Sequence, residues 1–243
     1  MPEIKAFAFD LEGPAVNMEP YHFKGFWYPA KDLGVHFDPS RIAEDMNLRI
    51  PNAIGGGDIV ISEGIARLAN PEASPEGIRK LAAQIRAQKD EFYAQAIAGL
   101  ESIEPREGFL DVVRQIRELG LPMAITSLTP RARAEVLLER SGIGELFPKE
   151  LTLVRESVER PKPAPDIYLK AAELMGIHPS EQLVFEDSAT GLEAARTAES
   201  PAVAMPIFTS PAYMAKIRAQ RPVRIFTSWT QIDSVTLMAL LDI

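Results

Sequence analysis

The chain has 243 residues, 46% of them apolar and 25% charged, enough to bury the core of one large domain or of a domain carrying an insert. Its formal charge of -8 excludes a general binder of phosphate backbones, which needs a basic face, so no nucleic-acid partner is expected. It contains no cysteine, which excludes disulfides, thiolate catalysis and zinc–sulfur sites.

The opening MPEIKAFAFD has too short an apolar run for a secretory leader. No stretch approaches the roughly 20 apolar residues of a membrane span, so a cytoplasmic protein is expected, without membrane association. Residues 4–9 alternate and end in an apolar, aromatic-rich run, as a buried strand does. A helix is expected over 19–34, broken or kinked at Pro29. From Ile42 to about Leu100 the pattern is helical, with PEASPEG at 71–77 as a capped break and a long amphipathic helix over 78–98. No strand is expected in that block. Beyond Pro105 the pattern changes. A helix at 107–119 ends at Gly120, a strand follows at 121–126, and a helix at 131–141 ends at Gly142. LTLV at 151–154 reads as a strand, 164–175 as a helix stopped by Gly176, and 183–186 as another strand. A helix at 188–198, a strand at 202–205, a helix at 211–219, a strand at 223–227 and a helix from 233 complete the chain.

Strands alternating with helices of this length imply βαβ units and a parallel sheet, with right-handed crossovers that bring every strand C-terminus to one edge. Ligands of such sheets bind along that edge. The expected fold class is therefore α/β: a Rossmann-like core at 1–16 and 100–243, interrupted after its first strand by an inserted α-helical cap at 17–99.

Asp10, Ser127 and Asp187 all fall at strand C-termini, so they should converge despite their separation in sequence. A carboxylate such as Asp10 can attack phosphorus and split one hard step into two easier ones, although an aspartate there is also an ordinary turn cap. Glu186 and Asp187 close the strand LVFE, where two adjacent acids are costly without a cation nearby. With Asp10 they form a hard-oxygen cluster suited to Mg²⁺; the alternative is that Asp187 caps the next helix while Glu186 faces solvent. Lys162, between two prolines, is either a loop lysine in solvent or an ammonium held over a phosphate. Ser127 offers a hydroxyl, and the N–H groups after it suit phosphate oxygens, but a serine in such a turn is commonly a helix cap.

FAFDLEG, ITSLTP, RPKPAPD and LVFEDSATG together resemble the four motifs of the haloacid dehalogenase superfamily. KPAPDIYLKAA and FEDSATGLEAA resemble its β-phosphoglucomutase-like and phosphoglycolate phosphatase-like branch, which carries a helical cap. The resemblance implies Mg²⁺-dependent phosphoryl transfer from a small phosphorylated metabolite, with Asp10 as nucleophile, Ser127 and Lys162 at the phosphoryl group, and a monomer or weak homodimer. It further implies a metal held by Asp10, the Glu12 main-chain carbonyl, Asp187 and the acidic pair that includes Glu186. In the cap, EPYHFKGFW and RAQKDEFY resemble segments of sugar-phosphate mutases that bring His22 and Lys89 to the substrate. Either residue could equally be structural. Asn52 and the glycines of IGGGD at 54–58 are further candidates for facing the cleft, although a linker turn also explains the glycines. The cap is expected to close by hinging near Asn17 and residues 90–105 and to decide the substrate.

Some residues depart from the family pattern. Glu12 stands where its hydrolases have an aspartate acting as general acid and base, and one methylene moves a carboxylate by roughly 1.5 Å. Pro14 replaces a threonine or valine, Leu128 replaces a polar residue that would contact substrate by its side chain, and Asn17 and Met18 replace an acid–hydroxyl pair. Three functions fit: hydrolysis of a small phosphate monoester through an aspartyl phosphate, a sugar-phosphate mutase, or a protein that binds phosphorylated ligands without turning them over.

Overall fold

The computed structural model describes residues 3–55 and 57–242, which fall into two compact units. One takes the chain up to Asn17 and again from Glu101; the other is Met18–Leu100.

The first unit is built on a six-stranded, all-parallel sheet: β1 Ala6–Phe9, β2 Met123–Thr126, β3 Thr152–Leu153, β4 Gln182–Glu186, β5 Ala202–Ala204 and β6 Arg224–Ile225. Their order is β3-β2-β1-β4-β5-β6. The chain therefore winds outward from β1 in one direction and then in the other from β4. The crevice where that direction reverses opens at the C-terminal ends of β1 and β4, where such sheets bind ligands. Helices α5 Phe109–Glu118, α6 Arg131–Ser141, α7 Asp166–Met175, α8 Ala189–Thr197, α9 Pro211–Ala219 and α10 Ser234–Leu241 belong to this unit.

The alternation in AFAF sorts residues to the two faces of β1. Phe9 stacks on its registered neighbour Phe185, with ring centroids 5.1 Å apart, and meets Phe109 and Trp229 edge-on or tilted at 5.8 and 6.0 Å. That aromatic cluster anchors one face of the central strands, and helix α7 packs on β1 and β2. The edge strands are shorter than the sequence suggests, because each pairs on one side only. Main-chain bonds continue past their ends, from Arg155 to Thr129 O beyond β3 and from Phe226 to Ala204 O beyond β6. The first helix after the insert also starts two residues later than 107, after Gly108 at φ 84°.

Among the described residues, the regular elements of the second unit are all helices: α1 Glu19–Asp32, α2 Ile42–Arg49, α3 Gly57–Ala69 and α4 Pro75–Gly99. Helices α1 and α3 both pack along α4, which buries Ile78, Ala82, Ile85, Lys89, Tyr93 and Ile97 at helical spacing. Ser74 caps α4 by accepting from the Gly77 N–H at 3.1 Å, so PEASPEG does act as a capped break. Pro29 does not break α1. It sits in the last turn, so its missing N–H costs one hydrogen bond, and its carbonyl still accepts from Leu33. Gly56 lies outside the described residues. Among the described residues, no helix is long and apolar enough to cross a membrane.

Candidate active site

Asp10 lies one residue beyond β1, and its N–H still donates to Phe185 O at 3.0 Å. The ends of β1 and β4 therefore stay in register where Asp10 and the Glu186–Asp187 pair emerge. Carboxylate oxygens of Asp10, Glu186 and Asp187 lie within 4.8 Å of one another. Lys162 arrives on the loop before α7. Its Nζ donates to Asp10 Oδ1 at 2.8 Å, to Glu186 Oε1 at 2.6 Å and to Thr126 O at 2.9 Å. With three acceptors and a side chain 6% exposed, Lys162 is not a solvated loop residue.

Glu186 is saturated. Its Oε1 also accepts from the Tyr168 hydroxyl at 2.9 Å, and its Oε2 accepts from both the N–H and the hydroxyl of Ser188 at 3.1 Å. Ser188, not Asp187, caps α8, through a 3.0 Å bond from the Gly191 N–H. The helix start thus leaves the Asp187 carboxylate to the acidic cluster.

Burial pushes the Asp10 carboxyl up to about 7; the Lys162 charge opposes this, while Glu186 and Glu12 add to it. Burial works against the Lys162 charge too, but Asp10 and Glu186 outweigh it and hold the ammonium well above its ordinary range. The Tyr168 hydroxyl is likewise raised, first by burial and then by Glu186.

Two glycines make room for the acids. A Cβ on Gly191 would stand 1.8 Å from Glu186 Oε1, and one on Gly13, at φ +110°, would stand 2.3 Å from Asp187 Cγ. Gly191→Ala is therefore expected to lower stability by about 1–3 kcal/mol, the usual cost of overpacking. Gly99→Ala, with nothing within 4 Å of the added methyl, should leave the midpoint nearly unchanged. Thermal unfolding of the two variants checks this; equal midpoints would show that Glu186 can swing aside freely.

Ser127 is 1% exposed and directly follows the C-terminal end of β2. Its hydroxyl donates to Thr129 Oγ1 at 2.9 Å and accepts from the Thr129 N–H at 3.1 Å. The Thr129 hydroxyl in turn donates to Glu12 Oε1. Leu128 is half-buried, and among the described residues its N–H meets no protein acceptor.

The loop from Asp10 to Pro14 is gripped from behind by residues that belong to no motif in the sequence. Arg106 donates to Gly13 O at 3.0 Å, Met205 O at 2.9 Å and Thr227 O at 3.0 Å. Burial lowers its pKa, and Asp187 opposes that shift. Trp229 donates from its indole to Pro14 O at 2.7 Å, and the Tyr213 hydroxyl donates to Asp187 O at 2.7 Å. Pro14, anomalous as a sequence, thus has a specific partner. Thr129 was visible inside ITSLTP as a second hydroxyl two residues after Ser127; nothing in EPREGF or in the tail singles out Arg106 or Trp229.

His22, Asn52 and Lys89 all belong to the helical unit. Lys89 is 2% exposed, with its Nζ 2.8 Å from Asp58 Oδ2 and over the rings of Tyr93 and Phe26 at 5.3 and 5.6 Å. His22 stacks on Tyr93 at 4.1 Å between centroids. Asn52 is exposed in the left-handed region at φ 68°.

A parallel sheet in this order, with a carboxylate just past β1, a hydroxyl just past β2, a buried lysine and an acid pair at the end of β4, gathers the kinds of group that phosphoryl transfer uses. The family model described as "Hydrolase: haloacid dehalogenase-like hydrolase" matches residues 4–199, and the chain belongs to that family. Protein CbbY of Rhodobacter capsulatus is 30% identical over 200 residues, covering 81% of this chain and 82% of that protein. The fructose-1-phosphate phosphatase YqaB of Escherichia coli K12 is 29% identical over 196 residues, covering 80% and 93%. Among solved structures, a β-phosphoglucomutase of Clostridium difficile superposes with a TM-score of 0.68 at 19% identity, covering 98% and 97%, which is a likeness of fold.

Proposed function

We propose that the core site hydrolyses a small phosphate monoester, a phosphorylated sugar in the first instance, with Asp10 as nucleophile. The observation that carries this reading is the buried Asp10–Lys162–Glu186 arrangement at the switch point of the sheet. The Asp10 oxygen that does not face Lys162 attacks phosphorus while the bond to the leaving oxygen breaks, and Glu12 gives that oxygen a proton. Water then attacks phosphorus and gives its proton to Glu12, the Asp10–phosphorus bond breaks, and phosphate leaves. Lys162 neutralises charge on the phosphoryl group, and the Leu128 N–H, which has no protein acceptor among the described residues, is a donor for one of its oxygens. The kinship with YqaB, named as a fructose-1-phosphate phosphatase, supports the sugar-phosphate class. Hydrolysis is favoured over a mutase because Lys89 is already paired with Asp58 inside the helical unit.

The donor set suits Mg²⁺: it is all carboxylate and carbonyl oxygen, and the Gly13 cradle leaves Asp187 the space a Cβ would fill. We assign Asp10, Asp187 and the Glu12 carbonyl to the ion, and leave Glu186, whose oxygens already serve four donors, to hold Lys162. When bound, the ion offsets repulsion between an anionic nucleophile and an anionic phosphate.

Purified protein with Mg²⁺ should release phosphate from members of a sugar-phosphate panel and fall silent on chelation. A panel without any turnover would overturn the reading. The metal prediction has its own pH signature. The cation needs ionised Asp10, whose folded pKa is raised to about 7, so binding must expel a proton below that pH. Affinity should rise up to ~10-fold per pH unit toward 7 and then level off. The Mg²⁺-induced shift in unfolding temperature should therefore be larger at pH 8 than at pH 5.5. A shift equal at both values would mean that Asp10 is not a ligand.

A further inference from the structure

Glu12 has one more rotatable bond than an aspartate, and the structure shows how its extra reach is used. Thr129 Oγ1 donates to Glu12 Oε1, Ser127 Oγ donates to Thr129 Oγ1, and the Thr129 N–H donates back to Ser127 Oγ. Each hydroxyl carries a single proton. With the Thr129 proton on Glu12, the Ser127 proton has to point at Thr129, and the backbone N–H fixes Ser127 in turn. Ser127 and Thr129 are 1% and 7% exposed, so bulk water competes poorly for these bonds. The result is a closed run of donors, rooted in the main chain after β2, that ends on one oxygen of Glu12.

We propose that Thr129 is a positioning residue that fits a glutamate to the acid–base place, so that this site is built around Glu12 and is not a decayed aspartate site. The proposal rests on the hydrolytic reading above and adds to it the device that sets the Glu12 carboxylate. Held by Thr129 through Oε1, the Glu12 carboxylate has a set position from which to exchange a proton with the leaving oxygen and then with water. An aspartate at position 12 would be too short to keep both the Thr129 bond and that reach. Errors of about 1 Å in such placement cost ~10²-fold.

The test uses leaving groups. Proton donation matters for an alkyl or sugar phosphate, whose leaving oxygen is strongly basic, and little for p-nitrophenyl phosphate. Thr129→Val is expected to lower kcat/KM for a sugar phosphate ~10–10²-fold, with a much smaller loss on p-nitrophenyl phosphate, while Thr129→Ser keeps most of both. Glu12→Asp should fall in the same selective way, and Thr129→Val added to Glu12→Ala should change nothing further. Equal losses on both substrates in Thr129→Val, losses that multiply in the double variant, or a gain of activity in Glu12→Asp would overturn the proposal. If Thr129→Val does not fold, Thr129→Ser and Glu12→Asp decide the matter alone. A Glu12→Ala protein with no leaving-group dependence would instead remove the hydrolytic role of Glu12, a separately visible failure that takes the proposal with it.

Discussion

Asp10→Asn is expected to abolish phosphate release, with a loss of ~10³-fold or more, as removal of a covalent nucleophile generally brings. The substitution changes one oxygen to nitrogen and keeps an acceptor for Lys162, so the loss should be chemical. Stability gives an independent readout of the same residue. The folded Asp10 carboxyl titrates near 7 because it is buried, while in the unfolded chain it titrates near 3.8. Between those values folding takes up a proton, so in metal-free protein this group's contribution to stability falls as pH rises from about 4 to 7, then stays flat. Asparagine has no such penalty. The variant should thus unfold at a higher temperature than the parent, by a margin that is larger at pH 8 than at pH 5. Full turnover by a folded Asp10→Asn protein would remove Asp10 from the chemistry. An equal margin at both pH values would show that its carboxyl is not held in its neutral form by the fold.

The strand-end acids were legible because two local signals coincide there: an apolar run closes, and an acid follows it. A parallel sheet converts that coincidence into convergence, since every strand C-terminus comes to one edge, and Asp10, Ser127 and Glu186 did not need to be close in sequence. Gly191 lies close in sequence to Glu186, the acid it makes room for, whereas Gly13 makes room for Asp187, at the far side of the chain, and no local signal marks that contact. What could not be read is whatever depends on long-range contact alone. Arg106 meets Thr227, 121 residues away, and Trp229 meets Pro14, 215 residues away; no local pattern marks either pair. The same limit applies to Lys89. Its helix spacing places it on the apolar stripe of α4, but only the tertiary structure supplies Asp58 as its partner. Pro29 departs from expectation for another reason: it lies in the last turn of α1, where a proline costs far less than in a helix interior.

Lys162→Met is expected to cost more stability than any other single change in the core site. Its ammonium lies between two buried carboxylates, 2.8 Å from Asp10 and 2.6 Å from Glu186, with side chains 12% and 1% exposed. An intact buried ion pair adds little net stability, because desolvation offsets attraction; a broken one leaves charge buried without a partner, at about 3–5 kcal/mol. For a chain of this size that loss corresponds to a fall of roughly 10 °C in unfolding temperature. Glu186 should suffer most, since Asp10 can take a proton near neutral pH and escape the penalty. Glu186→Gln should therefore restore part of the loss in the Lys162→Met background, although in the parent it removes a good acceptor and destabilises. The two substitutions then couple with opposite sign to simple addition, by an amount in the ~0.5–3 kcal/mol range of contacting residues. Chemical unfolding of the parent, both single variants and the double variant closes the cycle. Additive free energies would mean that Lys162 and Glu186 act independently, and that the Tyr168 and Ser188 donors alone keep the Glu186 charge buried.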